Sequence, residues 1–255
     1  MNSSEFATAI AEARRTGVQA HVELPDPKPT MAQALEHQKA VVAAFGSPHI
    51  GWKVGATNDG AQKAFGLDGP FYGPMVEASL VEEGGAIAAR PTVMAVEPEY
   101  AFKMARDYPA AGEAINEETA ADAVASCHIA LEVIGRCVGS ESFQNGIGLT
   151  VDFAGNSAFI VGSEIKDWQN ADLVSAPVQG MSDGETVQEG SGANVMGAPL
   201  TSLVWMAKAL ADQGSSLKAG EWVSTGTCTA PVPAKAGTTV SASFGDFGTV
   251  SVKFT

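Results

Sequence analysis

Hydrophobic and polar positions along this 255-residue chain follow two spacings, and the change falls near residue 48. Before it, residues 3–16 and the stretch "MAQALEHQKAVVAAF" place apolar side chains mostly three or four positions apart, which predicts two helices. Ser3 or Ser4 is the expected cap of the first helix, whereas Thr30 caps the second and Gly46 ends it. The proline-rich "HVELPDPKP" between them predicts an extended link.

Beyond residue 48 glycine becomes dense and the apolar runs shorten. "HIGWKVGATN" predicts a strand that ends in a loop, "DGPFYGPM" a rigid turn, and "HIALEVIG", "TTVSASF" and "GTVSVKF" three further strands. Only two helices are expected here, at 117–126 with Asn116 as cap and at 200–214. The pattern predicts an α+β protein, with an N-terminal helical region at 1–48 and one β-rich domain at 49–255.

Carboxylates occur among apolar residues in the predicted strand "HIALEVIG" and in "VMAVEPEYAF", a further stretch that is consistent with a strand. In "VMAVEPEYAF" Glu97 and Glu99 are two residues apart, so they share one face of a strand, where like charges repel. Glu132 lies mid-strand in "HIALEVIG", where an unpaired carboxylate is unfavourable. An exposed edge strand explains either feature alone, but together they favour a divalent cation. Oxygen ligands of this kind prefer Mg²⁺ or Mn²⁺ to Zn²⁺.

Charge and composition exclude several classes of function. The formal net charge of -14 opposes binding to nucleic acid and to anionic membranes, and no apolar run reaches membrane-spanning length. No GxGxxG or GxxxxGK[ST] motif opens a helix, which argues against a nucleotide fold. Three irregularly spaced cysteines and a start without a signal-peptide pattern predict a cytoplasmic protein.

Six stretches occur in an order that resembles a known family: "GWKVGATN", "GPFYGPM", "EPEYAF", "ALEVIGR", "DFAGNSAFIVG" and "LKAGEWVSTG". The chain is similar, over roughly residues 30–255, to the 2-keto-4-pentenoate hydratase group of the fumarylacetoacetate hydrolase superfamily. The resemblance implies a mixed β-roll or sandwich body with an N-terminal helical region. It also implies a homo-oligomer that acts on a small 2-oxo or 2-hydroxy dienoate in meta-cleavage catabolism of aromatic compounds.

The resemblance also implies a set of site residues. Glu97, Glu99 and Glu132 correspond to ligands of Mg²⁺ or Mn²⁺. Lys53 corresponds to the active-site lysine of the family, which meets the substrate or moves a proton, and Asp152 to an acid that helps to move protons or orient water. Besides Lys53, the expected substrate contacts are Phe71, Tyr72 and Arg136. The stretch after Glu132, "VIGRCVGSESFQNGIG", departs from the D-S-R or G-S-R ending of many relatives, which leaves the substrate open.

Four hypotheses about function follow. The first is a hydratase that adds water at C4 of a metal-chelated dienoate to give a 4-hydroxy-2-oxo acid. The second is a decarboxylase of the 4-oxalocrotonate type, ranked lower because a dicarboxylate needs a second basic contact and few are available beyond Lys53 and Arg136. The third, a C–C hydrolase, is disfavoured because "DGAQKAFG" lacks the His and Glu that such relatives place there. The fourth is a relative that binds metal or ligand without turnover.

Overall fold

A computed structural model of the protein describes residues 3–255. The α-helices in that range are α1 (Ser3–Thr16), α2 (Met31–Phe45), α3 (Asp59–Phe65), α4 (Glu117–Asp122), α5 (Gly146–Val151) and α6 (Pro199–Ala211). The strands there are β1 (His49–Gly55), β2 (Phe71–Val76), β3 (Leu80–Val81), β4 (Ala86–Ile87), β5 (Val93–Met104), β6 (Val124–Gly135), β7 (Asn156–Glu164), β8 (Pro177–Ser182), β9 (Glu185–Ser191), β10 (Trp222–Thr227), β11 (Val232–Pro233), β12 (Thr239–Ser243) and β13 (Thr249–Phe254).

The two N-terminal helices form where the sequence predicts them. Thr30 and Gln33 make a reciprocal capping box at the start of α2, and Gly46 ends it in the left-handed conformation at φ 74°. Ser3 and Ser4 lie inside the first turn of α1, so neither is its cap, and the preceding position falls outside the described residues. α1 and α2 pack against each other through apolar side chains.

Two mixed sheets form the body. The larger has the strand order β2-β1-β10-β5-β6-β7-β3, with β11 added beside β5, and the smaller has the order β4-β13-β12-β8-β9. Most neighbours are antiparallel, but β1 pairs with β10, β3 with β7 and β4 with β13 in parallel. The main core includes side chains from both sheets and from α6. The predicted α+β class is therefore confirmed.

The prediction of a rigid turn at "DGPFYGPM" is wrong, because residues 71–76 form the fully buried strand β2. β2 lies at the edge of the larger sheet and pairs only with β1, a position that tolerates Pro74. Gly73 is needed because a Cβ there would stand 2.3 Å from the carbonyl oxygen of Phe153. Local glycine and proline content indicated a turn, whereas the tertiary neighbours impose a strand.

The body contains more regular structure than the sequence predicted. Helices α3 and α5 were not expected, and neither was the β8–β9 hairpin. α3 and α5 are too short for a clear helical period, with 7 and 6 residues. Among residues 3–255, no helix has the length and apolar character needed to cross a bilayer.

Candidate active site

The three carboxylates of interest converge on one face of neighbouring strands. β5 and β6 run antiparallel, with Glu97 directly opposite Glu132. Glu99 shares the face of Glu97, because side chains two residues apart on a strand point the same way. One oxygen from each of the three side chains lies within 4.8 Å of the others. The acidic residues that were two separate features of the sequence thus form a single cluster.

Burial leaves this cluster with few partners. Glu99 and Glu132 are fully buried and Glu97 is half-buried. Glu99 Oε2 accepts hydrogen bonds from Ser224 Oγ at 2.5 Å and from the Gly226 amide at 2.9 Å. Its Oε1 atom has no hydrogen-bond partner within residues 3–255, although buried polar atoms normally find one.

Glu132 divides its two oxygens between an amide and an ammonium. Asn156 Nδ2 donates to Glu132 Oε1 at 2.9 Å. Lys53 Nζ lies 3.2 Å from Glu132 Oε2, close enough for an ion pair, but no described donor makes a well-directed hydrogen bond to that oxygen. Lys53 itself is buried on β1 and lines the adjoining cavity.

The cluster holds an excess of negative charge in a buried environment that is poorly accessible to solvent. Burial raises the pKa of Glu97 to about 7, with Lys53 opposing and Glu132 reinforcing the shift. Burial, Glu132 and Glu97 together raise the pKa of Glu99 above its usual range. Burial lowers the pKa of Lys53, but Glu132, Glu97 and Glu99 outweigh it, so the net shift is upward. Lys53 therefore carries its proton at neutral pH.

The donor set suits a hard divalent cation. When all three carboxylates are ionised, they exceed the one ammonium of Lys53 by two negative charges, which a dication balances. Oε1 of Glu99 and Oε2 of Glu132 are buried and accept no hydrogen bond from residues 3–255, so both still have lone pairs available. All the donors are oxygen atoms, the ligands that Mg²⁺ and Mn²⁺ prefer. The residues present thus fit the metal that the sequence predicted.

A cavity of about 130 Å³ opens beside the cluster. Its polar wall includes Lys53, Glu97 and Arg136, and the remaining lining is mostly apolar. A wider depression of about 270 Å³, next to Arg90 and Cys137, contains neither the carboxylates nor Lys53. The smaller cavity is therefore the candidate substrate site, since it alone of the two adjoins the buried charges.

The predicted substrate contacts are only partly brought together. Phe71 lines the cavity, and its ring centroid lies 5.6 Å from Lys53 Nζ. Arg136 also lines it, and its guanidinium makes no hydrogen bond or ion pair with residues 3–255. Tyr72 does not line the cavity, because it follows Phe71 on the strand and points to the other face. Its ring packs against those of Trp52 and Trp205.

Asp152 lies outside the cavity, in the protein interior. Its Oδ1 atom accepts from Arg14 Nη1 at 2.6 Å, and its Oδ2 atom from the Cys137 amide at 2.6 Å. Burial raises the pKa of Asp152, while Arg14 and that amide oppose the rise. Both oxygens are thus engaged by groups outside the cluster of carboxylates.

Several polar residues around the site were not predicted as site residues. Asn156 holds Glu132, Ser224 and the Gly226 amide hold Glu99, and Arg14 holds Asp152. For Asn156, Ser224 and Gly226 the only signal was their presence within "DFAGNSAFIVG" and "LKAGEWVSTG", whereas Arg14 lies in none of the six stretches. A serine or an asparagine at the end of a strand is common, and nothing in the local pattern identifies its partner.

Comparison with proteins of known name gives a consistent picture. The chain is 30% identical to the TodF product hydratase of Pseudomonas putida F1, over 87% of this chain and 81% of that protein. It is 28% identical to the 2-hydroxyhexa-2,4-dienoate hydratase of Comamonas testosteroni, over 86% and 83% of the two chains. It is 29% identical to a 4-oxalocrotonate decarboxylase of Pseudomonas sp. CF600, over 89% and 87%.

Among solved structures, the fold is similar to that of the 4-oxalocrotonate decarboxylase from Pseudomonas putida G7, complexed with magnesium and adipate. The TM-score is 0.88 at 27% identity, and the match covers 98% of both chains. The domain family described as Fumarylacetoacetate (FAA) hydrolase C-terminal matches residues 66–255. The resemblance inferred from the six sequence stretches is therefore confirmed, and the chain belongs to the fumarylacetoacetate hydrolase family.

Proposed function

We propose that this protein is a metal-dependent hydratase. It adds water to a 2-hydroxy-2,4-dienoate of the 2-keto-4-pentenoate type and gives a 4-hydroxy-2-oxo acid, a step of meta-cleavage catabolism of aromatic compounds. The observation that carries the proposal is the cluster of Glu97, Glu99 and Glu132 with Lys53, beside a small and mostly apolar cavity. The hydratase names of the relatives from Pseudomonas putida and Comamonas testosteroni support it.

The three glutamates would hold Mg²⁺ or Mn²⁺, which supplies a Lewis acid that polarises the oxygens of a 2-oxo acid. Lys53 provides a fixed positive charge beside Glu132. Because its pKa is raised, it meets an anionic substrate as an ammonium and can donate a proton at its Nζ atom. We assign Lys53 the role of orienting the substrate anion and moving a proton.

Asp152 and Tyr72 receive different roles from those expected at first. Both oxygens of Asp152 are bound by other groups and it lies outside the cavity, so we propose that it supports the site without exchanging protons with substrate. Tyr72 packs against two tryptophans and does not line the cavity. Phe71 remains the aromatic residue that we propose as a wall for the substrate.

The apolar lining favours a monocarboxylate. Ala61, Phe65, Phe71, Met94 and Leu149 contribute hydrophobic surface to the cavity. A vinyl or short alkyl end of a dienoate removes such surface from water, whereas a second carboxylate placed against these five apolar side chains would lose hydration without gaining a partner from them.

A second candidate is the 4-oxalocrotonate type of decarboxylase, and one observation favours it. The Arg136 guanidinium lies on the cavity wall without an ion-pair partner among residues 3–255. An arginine there could bind the far carboxylate of a dicarboxylate in a two-pronged contact. The similar decarboxylase structure from Pseudomonas putida G7 holds adipate, which is also a dicarboxylate. We expect a cytoplasmic homo-oligomer in either case, and this stays a prediction.

An ultraviolet assay on two substrates separates these functions. The protein is incubated with 2-hydroxypenta-2,4-dienoate, with or without Mg²⁺ or Mn²⁺, and the products are identified by mass. Metal-dependent loss of the dienoate with gain of one water supports the hydratase. Release of CO₂ from 2-oxohex-3-enedioate, with no hydration of the first substrate, would replace it by the decarboxylase. Metal binding without turnover of either substrate would instead favour a binding-only relative.

A further inference from the structure

Arg14 reaches from the N-terminal helix α1 into the body of the protein, although α1 lies outside the matched family domain at 66–255. Its side chain is only 7% exposed. Nη1 donates to Asp152 Oδ1 at 2.6 Å, and Nη2 donates to the backbone carbonyl of Asn156. The guanidinium carbon lies 3.9 Å from the centroid of the Phe153 ring. One side chain thus holds both ends of the segment from Asp152 to Asn156.

That segment has an unfavourable backbone. Phe153, Ala154 and Gly155 all have positive φ values, of 54°, 53° and 81°. Residues other than glycine rarely adopt this conformation, and it persists only where surrounding contacts enforce it. Ala154 and Gly155 line the candidate substrate cavity. The hydrogen bonds from Arg14 to Asp152 and Asn156, at the two ends of the turn, are contacts that enforce this conformation.

The segment ends at a residue that holds a carboxylate of the cluster. Asn156 is fully buried, and its Nδ2 atom donates to Glu132 Oε1 at 2.9 Å. The same residue offers its backbone carbonyl to Arg14. A continuous set of contacts therefore runs from α1, through Arg14 and Asn156, to Glu132.

We infer that Arg14 is a positioning residue for the metal centre. It fixes the turn at 153–155 and so sets where the Asn156 amide holds Glu132. The inference rests on the proposed function, since it requires that Glu132 binds a metal. It predicts that the N-terminal helix contributes to metal affinity without contacting the metal or the substrate.

The experiment measures Mn²⁺ binding to the purified protein by titration calorimetry, without substrate. We expect Arg14→Ala to raise the dissociation constant for Mn²⁺ about 10–100-fold, the usual effect of removing a group that orients a metal ligand. Arg15→Ala is the matched control. Arg15 also extends from α1 and bonds the Ala44 and Phe45 carbonyls, but it makes no contact with Asn156. We expect it to leave Mn²⁺ affinity unchanged.

Asn156→Ala tests the last contact separately, because it removes the amide donor and keeps the backbone carbonyl. The double variant Arg14→Ala/Asn156→Ala should bind Mn²⁺ about as weakly as Asn156→Ala alone, since coupled residues are not additive. Additive losses would indicate two independent structural defects and would overturn the inference.

Arg14→Lys decides the matter if Arg14→Ala does not fold. Lysine keeps a positive charge beside Asp152 but lacks the fork that bonds Asp152 and the Asn156 carbonyl together. We expect weaker Mn²⁺ binding with little change in melting temperature. Wild-type affinity in Arg14→Lys and Asn156→Ala would refute the positioning role alone. Failure of the wild-type protein to bind Mn²⁺ would instead refute the metal centre and the proposed function.

Discussion

Replacing Glu132 by glutamine should remove metal binding while leaving the fold intact. At an effective dielectric constant of about 20, Glu132 and Lys53, 3.2 Å apart, attract each other by about 5 kcal/mol. Glu132 is also repelled by Glu97 and Glu99, whose oxygens lie within 4.8 Å, by about 3.5 kcal/mol or more each. In the metal-free protein the two repulsions together, about 7 kcal/mol, exceed the attraction by about 2 kcal/mol.

The free energy of unfolding of the metal-free Glu132→Gln variant should therefore lie within about 2 kcal/mol of the wild-type value. Lys53 is not left as a lone buried charge, because Glu97 and Glu99 still act on it. Proton uptake by Glu97, whose pKa is about 7, reduces the repulsion further and brings the balance closer to zero.

With metal present the two proteins should differ clearly. Loss of a direct ligand should weaken Mn²⁺ binding at least about 100-fold, since losing a mere supporting group costs up to about that much. At 100 times the wild-type dissociation constant, Mn²⁺ stabilises the wild type by about 2.7 kcal/mol and the variant by about 0.4 kcal/mol. For a chain of this size, the melting temperature should rise by roughly 5–11 °C in the wild type and about 1 °C in the variant.

The assay is thermal unfolding with and without Mn²⁺, together with turnover of 2-hydroxypenta-2,4-dienoate. Glu164→Gln is the control, because Glu164 is exposed on β7 and its ion-pair partner among residues 3–255 is Lys166. It should respond to Mn²⁺ like the wild type. Equal Mn²⁺ stabilisation and full activity in Glu132→Gln would refute the three-glutamate site.

Three further predictions test neighbouring groups. Lys53→Met should lower kcat about 10²–10⁴-fold. Its affinity for Mn²⁺ should not fall, because the substitution removes a positive charge that lies 3.2 Å from Glu132 and repels a cation. Weaker Mn²⁺ binding in calorimetry would contradict this role. Arg136→Met should lower kcat/KM for 2-oxohex-3-enedioate about tenfold or more and spare 2-hydroxypenta-2,4-dienoate; equal losses would mean that Arg136 does not select a second carboxylate. The hydrogen bond from Arg106, followed by that from the Ala110 amide, lowers the pKa of Glu113 from 4.5 to about 2. Because the folded pKa is the lower one, this stabilisation is complete above pH 4.5 and is lost as pH falls through 2. A carboxyl NMR titration should find the low midpoint in the wild type and a higher one in Arg106→Ala, and a wild-type midpoint near 4.5 would disprove the pairing.

The structure adds partners that no local pattern contains. Glu99 is held by Ser224 and Gly226, and Glu132 is held by Asn156. These contacts join strands that are far apart in the chain. Tyr72 and Asp152 were expected in the site, but the pairing of β2 and the strained turn after α5 direct them elsewhere. Side-chain identity could be read from the sequence, whereas the surroundings of the side chain could not.

The sequence by itself determined the helices with strong caps, the alternating strands, and the shared face of Glu97 and Glu99. Those properties are local, because a cap or a two-residue period is set by neighbouring residues alone. Only the tertiary structure decided that Glu132 lies opposite Glu97, that Arg136 lines the cavity, and that Arg14 reaches the turn beside the site. These depend on strand register and on packing between distant segments, which local periodicity does not encode.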